Sequence, residues 1–240
     1  MCAAVLETIE HSGLARVPEG TDVWIVSIKD SDAVSVQMLA REEERKRHEQ
    51  IIPPRRKRQF VFRRAVLDYV LRHYVPDYAI EHDASGKPHV RAREGQARVY
   101  FSASSSQNLC AVGVSRQQIG IDLEARSQQV DLVGICEKYV PAFSGMVPLW
   151  QNSWVARQLA MCAWCRTEST IKLHGLTLHA VLFQSQREGT QPLDACPHAD
   201  IVISGYDFVC VVSQVERIGL NNIYHLGFEQ ICHEQQQEIY

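Results

Sequence analysis

The sequence predicts an α+β fold made of two similar halves. Short apolar runs rich in β-branched residues, typical of strands, alternate with two longer helical patterns, one over 55–74 and one ending near 172. A similar apolar strand occurs in each half, LCAVGV at 109–114 and FVCVV at 208–212. These observations predict an N-terminal α+β half over 1–117 and a C-terminal α+β half over 118–240. Because an internally duplicated chain has less need to dimerise, we expect a monomer.

The composition is that of a globular protein. The 240 residues are 45% hydrophobic, which is ample for a packed core. A formal net charge of −3 is atypical of proteins that act on nucleic acid, so we expect no nucleic-acid partner. No run approaches the roughly 18 apolar residues of a membrane span, and the first residues lack the pattern of a secretion signal. We therefore expect a cytoplasmic protein with no membrane partner.

The 8 cysteines do not indicate a disulfide framework. Most of them stand inside apolar runs, as Cys110 and Cys210 do, and the chain lacks the features of a small secreted domain. Cys162 and Cys165 form a CxxC pattern, but no second pair stands at a metal-binding spacing. We expect free, buried thiols.

The first half contains the following predicted elements in order. DVWIVSI at 22–28 is a strand, and 36–50 is a charged helical face ended by Pro53 and Pro54. The helix over 55–74 is amphipathic with a basic first turn, which opposes the helix dipole and therefore either faces water or holds an anion. An extended segment at 78–81, a Gly86-Lys87-Pro88 turn, and strands at 98–103 and 110–115 follow, with a serine-rich loop over 102–106 between the two strands.

The second half begins with a strand at 119–124. A short helix over 131–139 comes next, and then a long helix that Asn152 or Ser153 can cap and that Gly175 ends. Strands are predicted at 178–184, 200–204 and 208–215, and the tail from 229 is a frayed helix or a loose end.

The strand at 119–124 ends in two acidic residues. Side chains alternate along a strand, so Asp122 and Glu124 point the same way while Ile121 and Leu123 enter a core. Two neighbouring carboxylates repel each other unless a positive charge lies between them, and a hard divalent cation such as magnesium takes oxygen ligands. The pattern indicates a metal site or, alternatively, an exposed acidic turn.

The long helix carries a second candidate group. Trp164, Glu168 and Lys172 stand at successive i, i+4 positions and form one stripe. Such a stripe can place a carboxylate and an ammonium in one site. It is also typical of a surface ion pair below a core tryptophan.

Together and in this order, the two stretches resemble the 4'-phosphopantetheinyl transferases of the surfactin-synthetase type. That family has a (V/I)G(V/I)D(I/V)E strand followed by a WxxKE(S/A)xxK helix, matched here by IGIDLE at 119–124 and WCRTESTIK at 164–172. Gly86-Lys87-Pro88 is similar to the family's GKP motif, and FSASSS at 101–106 is similar to its FNxSHS motif. Thr167 replaces a family lysine and Ser105 replaces the family histidine.

The resemblance implies a pseudo-dimer of two α+β subdomains, each a small antiparallel-rich sheet with a long helix, and an active site in the cleft between them. It implies that Asp122, Glu124 and Glu168 hold Mg²⁺ and that Glu168 and Lys172 are catalytic. The residues that it assigns to coenzyme A binding are Arg58, Lys46, Lys87, Pro88, Ser104 and Ser105.

The function that the resemblance implies is transfer of the 4'-phosphopantetheine arm of coenzyme A to a serine of an apo acyl or peptidyl carrier protein, with release of adenosine 3',5'-bisphosphate. The Glu168-Ser169 pair favours carriers of secondary metabolism. Because of Thr167 and Ser105, the alternative is a catalytically weak relative that binds coenzyme A or a carrier protein without transfer. A third hypothesis is nucleic-acid binding through residues 55–64, but the segment has no basic face with aromatic residues for stacking on bases, and it has no nucleic-acid-binding motif.

Overall fold

The computed structural model describes residues 20–29, 34–84, 86–91, 98–126, 131–140, 154–178, 199–205, 207–215 and 220–237. The strands of this part are β1 (Thr21–Ser27), β2 (Ala79–His82), β3 (Pro88–Arg91), β4 (Val99–Ser106), β5 (Leu109–Ser115), β6 (Ile119–Ala125), β7 (Ala199–Ser204), β8 (Phe208–Gln214) and β9 (Leu220–Gly227). The helices are α1 (Glu42–Gln50), α2 (Pro54–Tyr74), α3 (Leu132–Tyr139), α4 (Trp154–His174) and α5 (Phe228–Gln237), together with a 3₁₀ turn at Val36–Met38.

The strands form two sheets. The larger sheet has the order β2-β3-β4-β5-β1-β9, in which neighbouring strands are antiparallel except for the parallel pair β1 and β9. The smaller sheet has the order β6-β8-β7 and is antiparallel. The predicted α+β class is therefore confirmed, with two sheets.

The helix α2 covers one face of the larger sheet. Its buried side chains, including Phe62, Val66 and Val70, pack against Trp24 and Val112 of that sheet. The apolar residues of α2 recur at helical spacing and so face the sheet together, which drives the packing. The Pro54 ring at the start of α2 costs no hydrogen bond, because the first N–H groups of a helix have no partner within it.

The two sheets pack against each other through their other faces. Val23, Ile25 and Ala111 of the larger sheet share a core with Ile121 and Leu123 of β6. On the far side of the smaller sheet lies α4, whose Met161 and Cys165 contact Val209 and Val211. The layers thus follow the order α2, larger sheet, smaller sheet, α4. Because β6 alternates its side chains, Asp122 and Glu124 lie on the α4 side.

The structure confirms most of the predicted elements and corrects two of them. The predicted serine-rich loop at 102–106 is wrong, because these residues continue β4 in register with β5. The tail is a regular helix, α5, whose Phe228 and Ile231 are buried in the core. Two strands, β3 and β9, were not predicted. The proposed caps Asn152 and Ser153 and all of the 178–184 strand beyond Leu178 lie outside the described residues.

The last strand of the second half belongs to the larger sheet, and the last helix packs against α2. The strand β9 pairs with β1, and Phe228 of α5 packs edge-to-face on Phe62 of α2. In the part of the chain that the structure describes, no helix combines the length and the apolar character needed to cross a membrane.

Candidate active site

Asp122 lies at the centre of the candidate site, where β6, β4 and α4 meet. Its Oδ1 accepts a hydrogen bond of 2.7 Å from the Lys172 ammonium and one of 2.8 Å from the Ser104 hydroxyl. Lys172 Nζ also lies 3.1 Å from Ser104 Oγ and 3.8 Å from Glu168 Oε2. The acidic strand and the i, i+4 pair of the helix, predicted separately, are therefore brought together.

Gly120 explains why α4 can approach β6 so closely. A Cβ atom at this position would overlap the Ser169 carbonyl oxygen and lie 2.6 Å from the Leu173 amide nitrogen. Only glycine leaves room for the helix backbone here. This close approach brings Lys172 of α4 within hydrogen-bonding distance of Asp122.

Alternate serines of β4 contact β6 across the seam between the two sheets. Ser102 Oγ accepts a hydrogen bond from the Ile121 amide at 3.1 Å. Ser104 donates to Asp122 as described, and Ser106 donates to Glu124 Oε2 at 2.8 Å. We call Ser102, Ser104 and Ser106 the serine ladder.

Burial and mutual repulsion shape the charge of the site. Burial, followed by the negative charge of Asp122, raises the pKa of Glu168 to about 7. Burial also raises the pKa of Glu124, and the hydrogen bond from Ser106 opposes this effect. The three carboxyl groups therefore repel one another when they are ionised, and the ammonium of Lys172 offsets only part of this repulsion.

The carboxylate groups of the site offer oxygen atoms as possible metal ligands. Asp122 Oδ2 is buried and accepts no hydrogen bond from the described residues. Within the described ranges, no group of three or more His, Cys, Asp or Glu side chains is arranged as a ready-made metal centre. In this arrangement Glu124 contacts Ser106, and Glu168 faces Lys172.

A cleft of about 490 Å³ adjoins the site. Its lining includes Lys172 and the aromatic residues Phe60 and Phe101. Among the described residues, the charged side chains that line it are all cationic: Arg47, Arg63, Arg64, Lys87 and Lys172. Such a lining favours an anionic ligand with an apolar or aromatic part, and a phosphate group suits guanidinium forks in particular.

Lys87 and Pro88, predicted from the GKP motif, line this cleft. Gly86 has a φ of 81°, a conformation that favours glycine, and it turns the chain so that β3 can begin at Pro88. The Lys87 side chain is 6% exposed and its ammonium donates to the Ile119 carbonyl oxygen at 2.8 Å. Burial lowers the pKa of Lys87 to about 8.

The other four predicted contacts of coenzyme A are not among the described residues that line the cleft. Arg58 donates a 2.6 Å hydrogen bond to the Lys29 carbonyl oxygen, and neither Arg58 nor Lys46 is among the residues that line the cleft. Ser105 lies on the face of β4 opposite the serine ladder, and its register partner is Cys110. Ser104 contacts Asp122 and so lies beside the carboxylates of Asp122, Glu124 and Glu168, which we call the acidic group.

The arginines of the cleft were missed by the sequence analysis. A signal for two of them exists in α2, since Phe60, Arg63, Arg64 and Leu67 stand at i, i+3, i+4 and i+7 and all line the cleft. Arg64 also lies 3.6 Å from Glu44 of α1.

Thr167, at the position where the resembled family has a lysine, bonds to its own helix. It is 5% exposed and its hydroxyl donates to the Ala163 carbonyl oxygen of the same helix at 2.9 Å. A threonine hydroxyl commonly makes this bond within a helix. The site therefore relies on Lys172 as its lysine from α4.

Comparisons with known proteins leave the identity of the chain open. No model of a known protein family matches the sequence, and no curated protein matches it.

Proposed function

We propose that the protein transfers the 4'-phosphopantetheine arm of coenzyme A to a serine of an apo carrier protein. The observation that carries this proposal is the position of Lys172, which lines the cationic cleft and also contacts Asp122 of the acidic group. A pyrophosphate bound in the cleft would therefore lie close to the Lys172 ammonium and to the carboxylates of the acidic group. The resemblance of the sequence motifs to those of the 4'-phosphopantetheinyl transferases indicates the class of reaction.

The carboxylates suit magnesium by their chemistry. Asp122, Glu124 and Glu168 offer only oxygen donors, which magnesium prefers, and Asp122 Oδ2 is buried with no donor from the described residues. These three side chains would hold the ion. When bound, magnesium neutralises charge on the pyrophosphate oxygens.

The residues of the site account for the proton and the charge in the proposed step. The serine hydroxyl of the carrier forms a bond to the β-phosphorus, and the bond from that phosphorus to the bridging oxygen breaks. Glu168 takes the proton of the hydroxyl, directly or through water, and Lys172 stabilises or protonates the leaving phosphate of adenosine 3',5'-bisphosphate. The cationic residues of the cleft hold the nucleotide phosphates.

The layer order supports the finer architecture that we propose, a pseudo-dimer with its active site in a cleft between two halves. Each sheet has one long helix on its outer face, α2 on the larger sheet and α4 on the smaller one. The cleft is lined by residues from 1–117 and from 118–240, and Ser104 of the first half contacts Asp122 of the second.

The proposal is tested by incubating the protein with coenzyme A, magnesium and a panel of apo carrier proteins from fatty-acid, polyketide and nonribosomal-peptide synthesis. Intact mass spectrometry is expected to find at least one carrier with the mass of the transferred arm, and chromatography is expected to find an equal amount of adenosine 3',5'-bisphosphate. A carrier whose acceptor serine is replaced by alanine serves as the control and gains no mass.

A second candidate function is binding of coenzyme A or a carrier protein without transfer. The orientation of Thr167 favours it, because the hydroxyl bonds to its own helix and leaves Lys172 as the lysine that α4 supplies. Under this candidate, calorimetry finds coenzyme A binding while no carrier of the panel gains mass.

A further inference from the structure

The serine ladder on β4 and the acidic residues on β6 have the same spacing and pair with each other. Ser104 and Ser106 alternate on β4 with the same period of two as Asp122 and Glu124 on β6, and each serine hydroxyl donates to one carboxylate at 2.8 Å. Ser102 extends the match by accepting the hydrogen bond from the Ile121 amide. The third contact fixes the backbone register of β4 against β6, so that the two side-chain pairs stay aligned.

Each serine hydroxyl binds one oxygen of its carboxylate partner. A hydroxyl has a single proton to donate, and an ionised carboxylate has two oxygens that only accept. Ser104 and the Lys172 ammonium both donate to Asp122 Oδ1, and the other oxygen of Asp122 is buried with no hydrogen bond from the described residues. Ser106 donates to Glu124 Oε2. A carboxylate held by one oxygen cannot rotate freely and presents the other in a defined direction.

We propose that Ser104 and Ser106 are positioning residues, which hold the carboxylates of Asp122 and Glu124 in the orientations that receive a divalent cation. This inference rests on the proposed function. Hydrogen-bonding partners of metal ligands typically change metal affinity by about ten-fold to a hundred-fold when they are removed. The serine ladder thus has a role toward the acidic group that is separate from any contact with coenzyme A.

The chain offers matched variants for a test. Ser104→Ala and Ser106→Ala each remove one hydroxyl and little volume, and Ser106→Thr keeps a hydroxyl on a half-buried position where a β-branched residue suits a strand. Ser105→Ala is the control, because Ser105 is flanked by both serines and lies on the opposite face of β4. The melting temperature of each variant shows whether the fold is retained.

The measurement is calorimetric titration of the purified full-length protein with magnesium chloride, without coenzyme A or carrier. We expect the dissociation constant for magnesium to rise about ten-fold in Ser104→Ala and in Ser106→Ala, to stay within two-fold of wild type in Ser105→Ala, and to return toward wild type in Ser106→Thr. An unchanged or lower constant in both alanine variants overturns the inference.

The transfer assay separates this inference from the proposed function. If wild type transfers the arm and binds magnesium while both alanine variants bind it equally well, only the positioning role is wrong. If wild type transfers the arm but takes up no magnesium in the titration, the positioning role for a cation is overturned and the transfer stands. If wild type neither transfers the arm nor binds magnesium, both are overturned.

Discussion

The proposed reaction depends most on Glu168, because in that reaction Glu168 removes the proton from the attacking serine. The Glu168→Gln variant keeps the shape of the side chain and loses the base. A general base contributes about a hundred-fold to ten-thousand-fold to a rate, so we expect the transfer rate to fall by that factor. The rate is followed by intact mass of the carrier.

Glu137→Gln is the control for this variant, because Glu137 is an exposed glutamate of α3. We expect it to transfer the arm at the wild-type rate. A Glu168→Gln protein that is folded and as fast as Glu137→Gln would show that Glu168 is not the base.

The arginines provide a second test at the scale of single residues, because the motif-based assignment and the cleft lining differ. Arg63 lines the cleft, whereas Arg58 donates to the Lys29 carbonyl oxygen. Losing a charge-assisted hydrogen bond costs about 1.5–3 kcal/mol. We therefore expect Arg63→Ala to raise the Michaelis constant for coenzyme A by about ten-fold or more, and Arg58→Ala to change it little. The opposite ranking of the two variants would favour the motif-based assignment.

At the scale of elements, the contact between β6 and α4 determines whether the site exists. In Gly120→Ala the new methyl group collides with backbone atoms of α4, which cannot move aside as a side-chain end can. We expect the free energy of unfolding to fall by about 3 kcal/mol, the scale of a severe overpacking. Urea denaturation measures this change.

Gly113→Ala is the matched control in β5. Its new methyl group would lie 3.0 Å from the Ile119 Cδ1 atom, the flexible end of a side chain. The expected loss of stability is therefore smaller than in Gly120→Ala. Equal losses in the two variants would mean that α4 does not depend on glycine at position 120.

The acidic strand β6 and the helix α4 could be predicted from the sequence because their signals are local. Ile121 and Leu123 alternate with Asp122 and Glu124, and Gly175, with a φ of 64°, ends the helix as expected. The residues 102–106 could not be predicted as a strand, since serine is common in turns. Their partners are the carboxylates of β6, which only the folded chain brings close. Similarly, β9 becomes a strand through its parallel pairing with β1, nearly two hundred residues earlier.

The candidate site was predicted in part for the same reason. The motifs identified the acidic group and Lys172. The fold places the Lys172 ammonium 2.7 Å from Asp122 Oδ1 and 3.8 Å from Glu168 Oε2. The cleft arginines of α2 were not predicted, because their place in the lining depends on which face of α2 meets the sheet. Arg63 and Arg64 belong to that face, and Arg58 does not.

At the scale of the whole molecule, Lys87 connects the two sheets, since it precedes β3 of the larger sheet and donates to Ile119 of β6 in the smaller one. Burial lowers the pKa of Lys87 from its ordinary value of 10.5 to about 8. Between these two values the unfolded chain binds more protons at this residue than the folded chain, so the contribution of Lys87 to stability rises with pH. Below pH 8 the lysine is charged in both states, and its burial costs the full desolvation.

Comparison with Lys87→Met isolates this contribution, because methionine does not titrate. We expect the free energy of unfolding of wild type, relative to Lys87→Met, to increase as the pH is raised from 7.5 to 9.5. Urea denaturation of both proteins across that range measures it. A difference that stays constant or decreases with pH would show that the Lys87 ammonium is not desolvated in the folded protein.

The central claim is that the acidic group and Lys172 at the seam between the sheets perform phosphopantetheinyl transfer. The most direct test is the intact mass of an apo carrier protein after incubation with coenzyme A, magnesium and either wild type, Glu168→Gln or Lys172→Met. We predict that wild type adds the mass of the arm to the carrier, and that each of the two variants, folded by circular dichroism, adds almost none in the same time. Equal modification by wild type and both variants, or no modification of any carrier by wild type, would contradict the claim.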